Sequence, residues 1–248
     1  MTVSRSIVVP CYNEAPNLPA LLARFRAIRS RPGAEAWELI LVDNGSTDGS
    51  AEILHKAVQA EGGSWLRVAA VAPPNIGYGH GILVGLRAAR GELLAWTHAD
   101  GQTPPLDAVH ALERLAASAH PARTLVKGRR RGRPLKDAAF TFGMELAALG
   151  ILGQRLPDIN GQPKAFHRDL LDAAASPPSD LSLDLHFLST AERLGFEISS
   201  FDVQFGLREH GESKWAFNWQ SKRRAVARTL RCMVELRAAP GAPAAGSE

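Results

Sequence analysis

Two apolar runs, each ending in a polar turn, constrain this 248-residue chain most. Residues 6–10 are almost wholly apolar and lead into Cys11, Tyr12, Asn13 and Glu14. Residues 38–42 run in the same way into Asp43, Asn44 and Gly45. Strands that are apolar on both sides belong in a parallel sheet with helices on both faces. Helical spacing follows each run, over 18–28 and then from Ser46, predicted to cap a helix carrying Ile53, Leu54, Ala57 and Val58, with acidic Asp48 in its first turn. Polar groups gathered at neighbouring carboxyl ends of such a sheet are where open α/β folds bind nucleotides.

The alternation continues, as a mostly parallel α/β sheet requires. Strands are predicted at 65–71, 92–97 and 125–127, helices at 82–89 and 104–119, and a glycine-rich turn at 73–81. Beyond it come an apolar helix over 138–153, a strand over 163–166, an amphipathic helix over 183–194, a strand over 198–205 and a basic helix over 215–236. One domain is expected over 1–237, with a nucleotide-binding half (1–130), an acceptor half (131–215), the basic amphipathic helix (215–237) and a disordered tail (238–248).

Apolar residues at 45% and charged residues at 22% are ordinary for a soluble globular protein. A net charge of +4 favours anionic partners, such as nucleotide phosphates or lipid headgroups. Nucleic acid is set aside, because the basic residues lack the interleaved aromatics of a stacking platform. Two cysteines, Cys11 and Cys232, are too few for a disulfide framework or a zinc site and point to a reducing, cytoplasmic compartment. The apolar stretch 138–153 falls short of the roughly 20 residues that span a bilayer, and no leader is read before the first strand. Any membrane contact is therefore expected to be peripheral, on the cytoplasmic face.

The pair of turns, Pro10 to Glu14 and Val42 to Asp48, resembles the opening of the family-two glycosyltransferases of the GT-A fold, with Asn44 where that family usually carries its second Asp. His98-Ala99-Asp100-Gly101-Gln102 is similar to the family's D-A-D-x-Q motif, with His98 replacing the first Asp. The segment from Arg208 to Lys214 resembles the R-x-x-G-x-S-K stretch of the dolichyl- and polyprenyl-phosphate sugar synthases within it.

This resemblance implies metal-dependent, inverting transfer of a sugar from a UDP- or GDP-linked donor to a lipid phosphate or a glycan. Asp100 and Gln102 would hold Mg²⁺ or Mn²⁺, whose preference is for hard oxygen ligands. Pro10, Tyr12, Glu14, Asp43, Gly77, His98 and Ala99 would line the donor. Arg208 and Lys214 would bind its phosphates, and Arg129 or Arg130 would face an anionic ligand. Each residue also has a plainer reading: Asp100 as a turn residue, Asp43 and Glu14 as helix-start acids, the arginines as solvated surface.

Asp184 matches the Asp of an F-D-x-E-L stretch or else marks a solvated helix face, while His186, standing for the Glu, reads as a packed or surface residue. A hydroxyl acceptor needs a general base, for which Asp184 or Asp158 is the better candidate; a phosphate acceptor needs none. The basic helix over 215–236 either lies on an anionic bilayer or packs its apolar stripe on the core. Two rival functions stay open. One is a non-catalytic relative that binds nucleotide sugars. The other is a nucleotidyltransferase, although no glycine- and lysine-rich loop follows the first strand.

Overall fold

The computed structural model describes residues 3–31, 36–63, 65–206 and 219–238. Its elements run β1 (Arg5–Cys11), α1 (Leu18–Arg29), β2 (Trp37–Asn44), α2 (Ser50–Ala60), β3 (Leu66–Val71), α3 (Tyr78–Ala88) and β4 (Leu93–Trp96). There follow α4 (Pro105–Ala116), β5 (Thr124–Arg131), α5 (Leu135–Leu152), β6 (Lys164–His167), α6 (Arg168–Ala173), α7 (Leu183–Arg193), β7 (Glu197–Gln204) and α8 (Trp219–Ala238). Among the described residues the strands form one sheet in the order β3-β2-β1-β4-β6-β5-β7. Only β6 runs against the others, antiparallel to both β4 and β5.

The chain therefore builds outward from β1 through β2 to β3, then returns to place β4 on the other side of β1. That reversal places a topological switch point at the carboxyl ends of β1 and β4, where such sheets bind ligands.

The apolar runs behave as their composition requires. All of β2 is buried, and β1 sends Ile7, Val9 and Cys11 to one helical layer and Val8 to the other. One layer packs α1, α2 and α4 on the sheet through Leu18, Phe25, Leu54 and Leu112. The second packs α3, α7 and α8 through Ile82, Leu86, Phe187 and Met233. Trp96, Phe166 and Phe187 meet there with centroids 5.1–5.4 Å apart.

Three expectations need correction, and one open alternative is decided. Ser46 does not cap α2, which starts at Ser50 behind left-handed Gly49; Ser46 instead accepts from the Asn13 backbone N–H at 3.1 Å. The glycine-rich stretch is not all turn, because α3 already begins at Tyr78. Strand β5 extends to Arg131, so Arg129 and Arg130 lie within the sheet, and α6 was not foreseen. Of the two readings of the basic helix, α8 takes core packing: Cys232, Met233 and Leu236 are buried and the helix packs on α5 and α7, with Val234 left exposed.

Gly85 shows how tightly α3 sits on the sheet, since a Cβ there would collide with Val8 and Val42. Gly85→Ala is expected to cost about 1–3 kcal/mol by overpacking. The check is a lower urea midpoint with an unchanged slope.

Candidate active site

The site is assembled from backbone turns that hold one another. Asn13, at positive φ of 55°, accepts through Oδ1 from the Thr47 N–H at 2.8 Å, while its own N–H donates to Ser46. The Glu14 N–H donates to Ser50 Oγ at 3.0 Å and the Ala15 N–H to Asp48 Oδ2 at 3.0 Å. Asp48 carries these bonds with a lowered pKa: its partial burial works to raise it, but hydrogen bonds from Ser50 and the backbone outweigh that. The β1 and β2 turns are thus a single unit, which fixes Tyr12, Glu14 and Asp43 relative to one another.

Asp43 is buried and accepts from the Ser46 N–H at 3.0 Å, and Glu14 accepts from Asn17 Nδ2 at 2.6 Å. Pro10 is half-buried near the end of β1, in register with Val42. Asn44 turns inward, donating to the Gly77 carbonyl at 2.9 Å and accepting at its own carbonyl from Asn75. A side chain at Gly77 or Gly79 would strike the backbone of 178–180, and one at Gly81 would strike Asn44. The glycines are there for this internal packing.

Beyond β4, His98 stacks on Tyr78 with centroids 5.5 Å apart and planes 25° off parallel. Burial pushes the His98 pKa down, so the imidazole is neutral at neutral pH where the related motif would have a carboxylate. Ala99 is buried beside it. Asp100 accepts through Oδ1 from the Gln102 N–H at 3.2 Å. Gln102 also donates from Nε2 to the Gly206 carbonyl at 3.2 Å, and the Gly206 N–H returns a bond of 2.9 Å to the Gln102 carbonyl. The turn after β4 is thereby tied to the chain that leads toward Arg208 and Lys214, which lie outside the described residues.

No group of three or more His, Cys, Asp or Glu that could cage a metal occurs among the described residues. One carboxylate and one amide on a strand-end turn nevertheless fit Mg²⁺ or Mn²⁺, which are commonly held by one or two carboxylates together with substrate phosphates.

Behind this edge lies a buried charged cluster that the sequence did not announce. Lys164 and Asp184 form an ion pair with side-chain exposures of 0% and 2%. Burial pushes the Lys164 pKa down, and Asp184 pulls it back. Asp184 also accepts from Gln162 Nε2 at 2.7 Å, and that amide reaches Tyr78 Oη at 3.2 Å. Asp184 is therefore neither on a solvated face nor open to a substrate. The signal available was Lys164 itself, a cation leading the apolar pair Ala165 and Phe166 in a short strand, which must find a carboxylate if it is buried.

Asp158 is equally committed: Arg130 holds it at 2.5 Å, and Arg133 adds a second guanidinium at 3.5 Å. Its burial works to raise its pKa, but the bonds and charge of Arg130 bring the net value below the usual range. Arg129, with Arg131, is bound instead to Asp202 on β7 at a half-exposed position. His186 is packed into α7 with a pKa lowered by burial, in line with its plainer reading.

Strand order, switch point and strand-end carboxylate define the class of the molecule: a GT-A glycosyltransferase fold. The glycosyl transferase family 2 model matches residues 6–173, and the chain belongs to that family. It is 33% identical over 217 residues to an undecaprenyl-phosphate 4-deoxy-4-formamido-L-arabinose transferase of Proteus mirabilis, covering 86% of this chain and 63% of that one. The counterpart in Pseudomonas fluorescens is 32% identical over 215 residues, covering 85% and 60%. The chain thus spans about three-fifths of the length of these relatives.

The fold is shared with glucosyl-3-phosphoglycerate synthase of Mycobacterium tuberculosis, solved with Mn²⁺ and UDP (TM-score 0.69, 23% identity, 98% of this chain and 82% of that one). It is also shared with a mannosyltransferase of Pyrobaculum calidifontis solved with GDP-mannose and Mn²⁺ (TM-score 0.64, 20% identity, 96% and 71%).

Two outcomes test the buried cluster. Asp184→Asn leaves Lys164 without a carboxylate and is expected to cost about 3–5 kcal/mol, whereas Asp184→Leu with Lys164→Met recovers most of the loss. Urea denaturation of the two variants distinguishes them.

Lys127 is buried as well, donating to the Pro157 carbonyl at 3.0 Å, and burial lowers its pKa to about 7. In the unfolded chain a lysine keeps its proton to about pH 10. The unfolded state therefore binds more protons between those values, and stability should climb with pH across that window. Lys127→Met is expected to lack this pH dependence, so its stability relative to wild type should decline steadily from pH 7 to 9.

Proposed function

We propose that the protein transfers a sugar, with inversion, from a UDP- or GDP-linked donor to a polyprenyl phosphate at the cytoplasmic face of a membrane. The observation that carries this reading is the state of the two carboxylates best placed to act as a base. Asp158 is held by Arg130 and Asp184 by Lys164, both out of solvent. A hydroxyl acceptor would need one of them free; a phosphate brings its own anionic oxygen. Arg130 and Arg133, sharing a single carboxylate between them, suit such an anion. The relatives in Proteus and Pseudomonas, whose names specify undecaprenyl phosphate, support the same acceptor class.

Tyr12, Glu14, Asp43 and the His98–Tyr78 stack would border the nucleoside, with residues 1–130 as the donor half and 131–215 as the acceptor half. Asp100 and Gln102 would hold the divalent ion, which when bound supplies charge neutralisation on the diphosphate. Arg208 and Lys214 would add cations there. An acceptor phosphate oxygen forms the new bond to the anomeric carbon from the opposite face. The bond from that carbon to the diphosphate oxygen breaks, and its electron pair leaves with the nucleoside diphosphate. The neutral His98 in place of a carboxylate also favours a second reading, a relative that binds nucleotide sugars without turnover.

The test is incubation of the full chain with labelled UDP- and GDP-sugars, undecaprenyl phosphate and Mn²⁺ or Mg²⁺. A lipid-linked labelled product is expected. Asp100→Ala should abolish both transfer and Mn²⁺-dependent nucleotide binding at an unchanged melting temperature. Turnover undiminished by EDTA would remove the metal. Transfer to a hydroxyl acceptor with the lipid phosphate inert would remove the acceptor assignment, and metal-dependent nucleotide binding without turnover would favour the second reading.

A further inference from the structure

Helix α5 inverts the usual pattern of a surface helix. Over 18 residues, about 27 Å at 1.5 Å per residue, Ala148 is the one residue fully buried. Its inner side packs Met144, Ala147, Ile151 and Leu152 against the second core layer. Its outer side exposes Leu135, Phe140, Phe142, Leu146 and Leu149, at between 49% and 89%. Leu135, Phe142, Leu146 and Leu149, with Ala139, recur at helical three- and four-residue spacing along one stripe, with Phe140 beside it. Large exposed apolar patches of this kind mark interaction sites.

The surroundings say what covers it. Helix α8 packs beside α5 and buries Cys232, Met233 and Leu236, while Val234 and the arginines Arg223, Arg224, Arg228, Arg231 and Arg237 are exposed, with Glu235 among them and Arg228 3.8 Å from Asp180. At the other end, Arg133, with its side chain only 12% exposed, is bonded to Thr141 of α5 at 2.8 Å and shares Asp158 with Arg130. An apolar stripe packed beside a helix with exposed arginines complements a bilayer with anionic headgroups. A second copy of the same face would bring like charges together. No described helix is long and apolar enough to cross a membrane, so the contact is in the plane of the surface.

We infer that the exposed face of α5 docks on an anionic bilayer, with the arginines of α8 against the headgroups, and that it brings the Arg130–Arg133 end of the helix to the lipid surface. The basic helix is thereby the electrostatic partner, and α5 supplies the apolar insertion. Vesicle binding requires neither donor nor metal, so it is decided separately from the catalytic reading.

The experiment is co-sedimentation of the full chain with phosphatidylcholine vesicles, with and without phosphatidylglycerol, at low and high salt. Wild type is expected to bind only the anionic vesicles, and less at high salt. Phe142→Glu with Leu146→Glu should lower vesicle affinity by about tenfold or more at an unchanged melting temperature. Arg224→Glu with Arg231→Glu should lower it by a similar factor through the headgroups. If the double α5 variant does not fold, Phe142→Ser at its exposed position provides the same comparison. Three results would overturn the inference: no binding by wild type, α5 variants that bind as wild type does, or a lipid-free dimer that the α5 variant dissociates.

Discussion

The Lys164–Asp184 ion pair is the interaction on which the arrangement of the site depends. Two opposite charges taken out of water cost several kcal/mol each, and only close geometry with further hydrogen bonds repays it. Here Lys164 also donates to the Gly161 carbonyl at 3.0 Å and lies over the Trp96 ring, while Asp184 takes the Gln162 amide. The pair joins β6, the one reversed strand, to α7. Through Gln162 it reaches Tyr78 and the imidazole stacked on it, two residues from Asp100. A charge in the middle of the molecule thus sets the position of an aromatic pair at its edge.

That commitment also shapes the chemistry. Asp158 and Asp184 are each neutralised by a cation, so this part of the molecule offers positive charge and bound carboxylates in place of a free base. At the turn after β4, His98 stands where the related motif carries a carboxylate, so one negative charge fewer lies beside Asp100. Both features suit the anionic ligands of the proposed function, a nucleoside diphosphate and a lipid phosphate. Gln102, bonded in both directions to Gly206, links the turn after β4 to the segment that continues toward Arg208.

Helices α5 and α8 are both apolar along one side, and burial treats them differently. By sequence the basic helix could lie on an anionic bilayer or pack on the core, and α5 is an apolar helix too short to span one. The fold decides, because α8 buries Cys232, Met233 and Leu236 in the second core layer while α5 has solvent on its outer side. Periodicity shows that a helix has an apolar face, but not what lies opposite it.

The sequence by itself determined the strands β1, β2 and β4 and the turns at their ends. Apolar runs of that length allow little else than a buried parallel sheet, and turn chemistry is local. It likewise placed Asp100 and Gln102 on the turn after β4, and Asp43 at the end of β2. Only the tertiary structure decided where Asp158, Asp184, Arg129 and Arg130 direct their charge. Those partners come from residues such as Lys164 and Asp202, on strands whose order and direction no local pattern records. The glycines of the 77–81 stretch belong to the same class. What forbids a side chain there is the 178–180 backbone, about a hundred residues away in sequence, brought close when the second helical layer closes over the sheet.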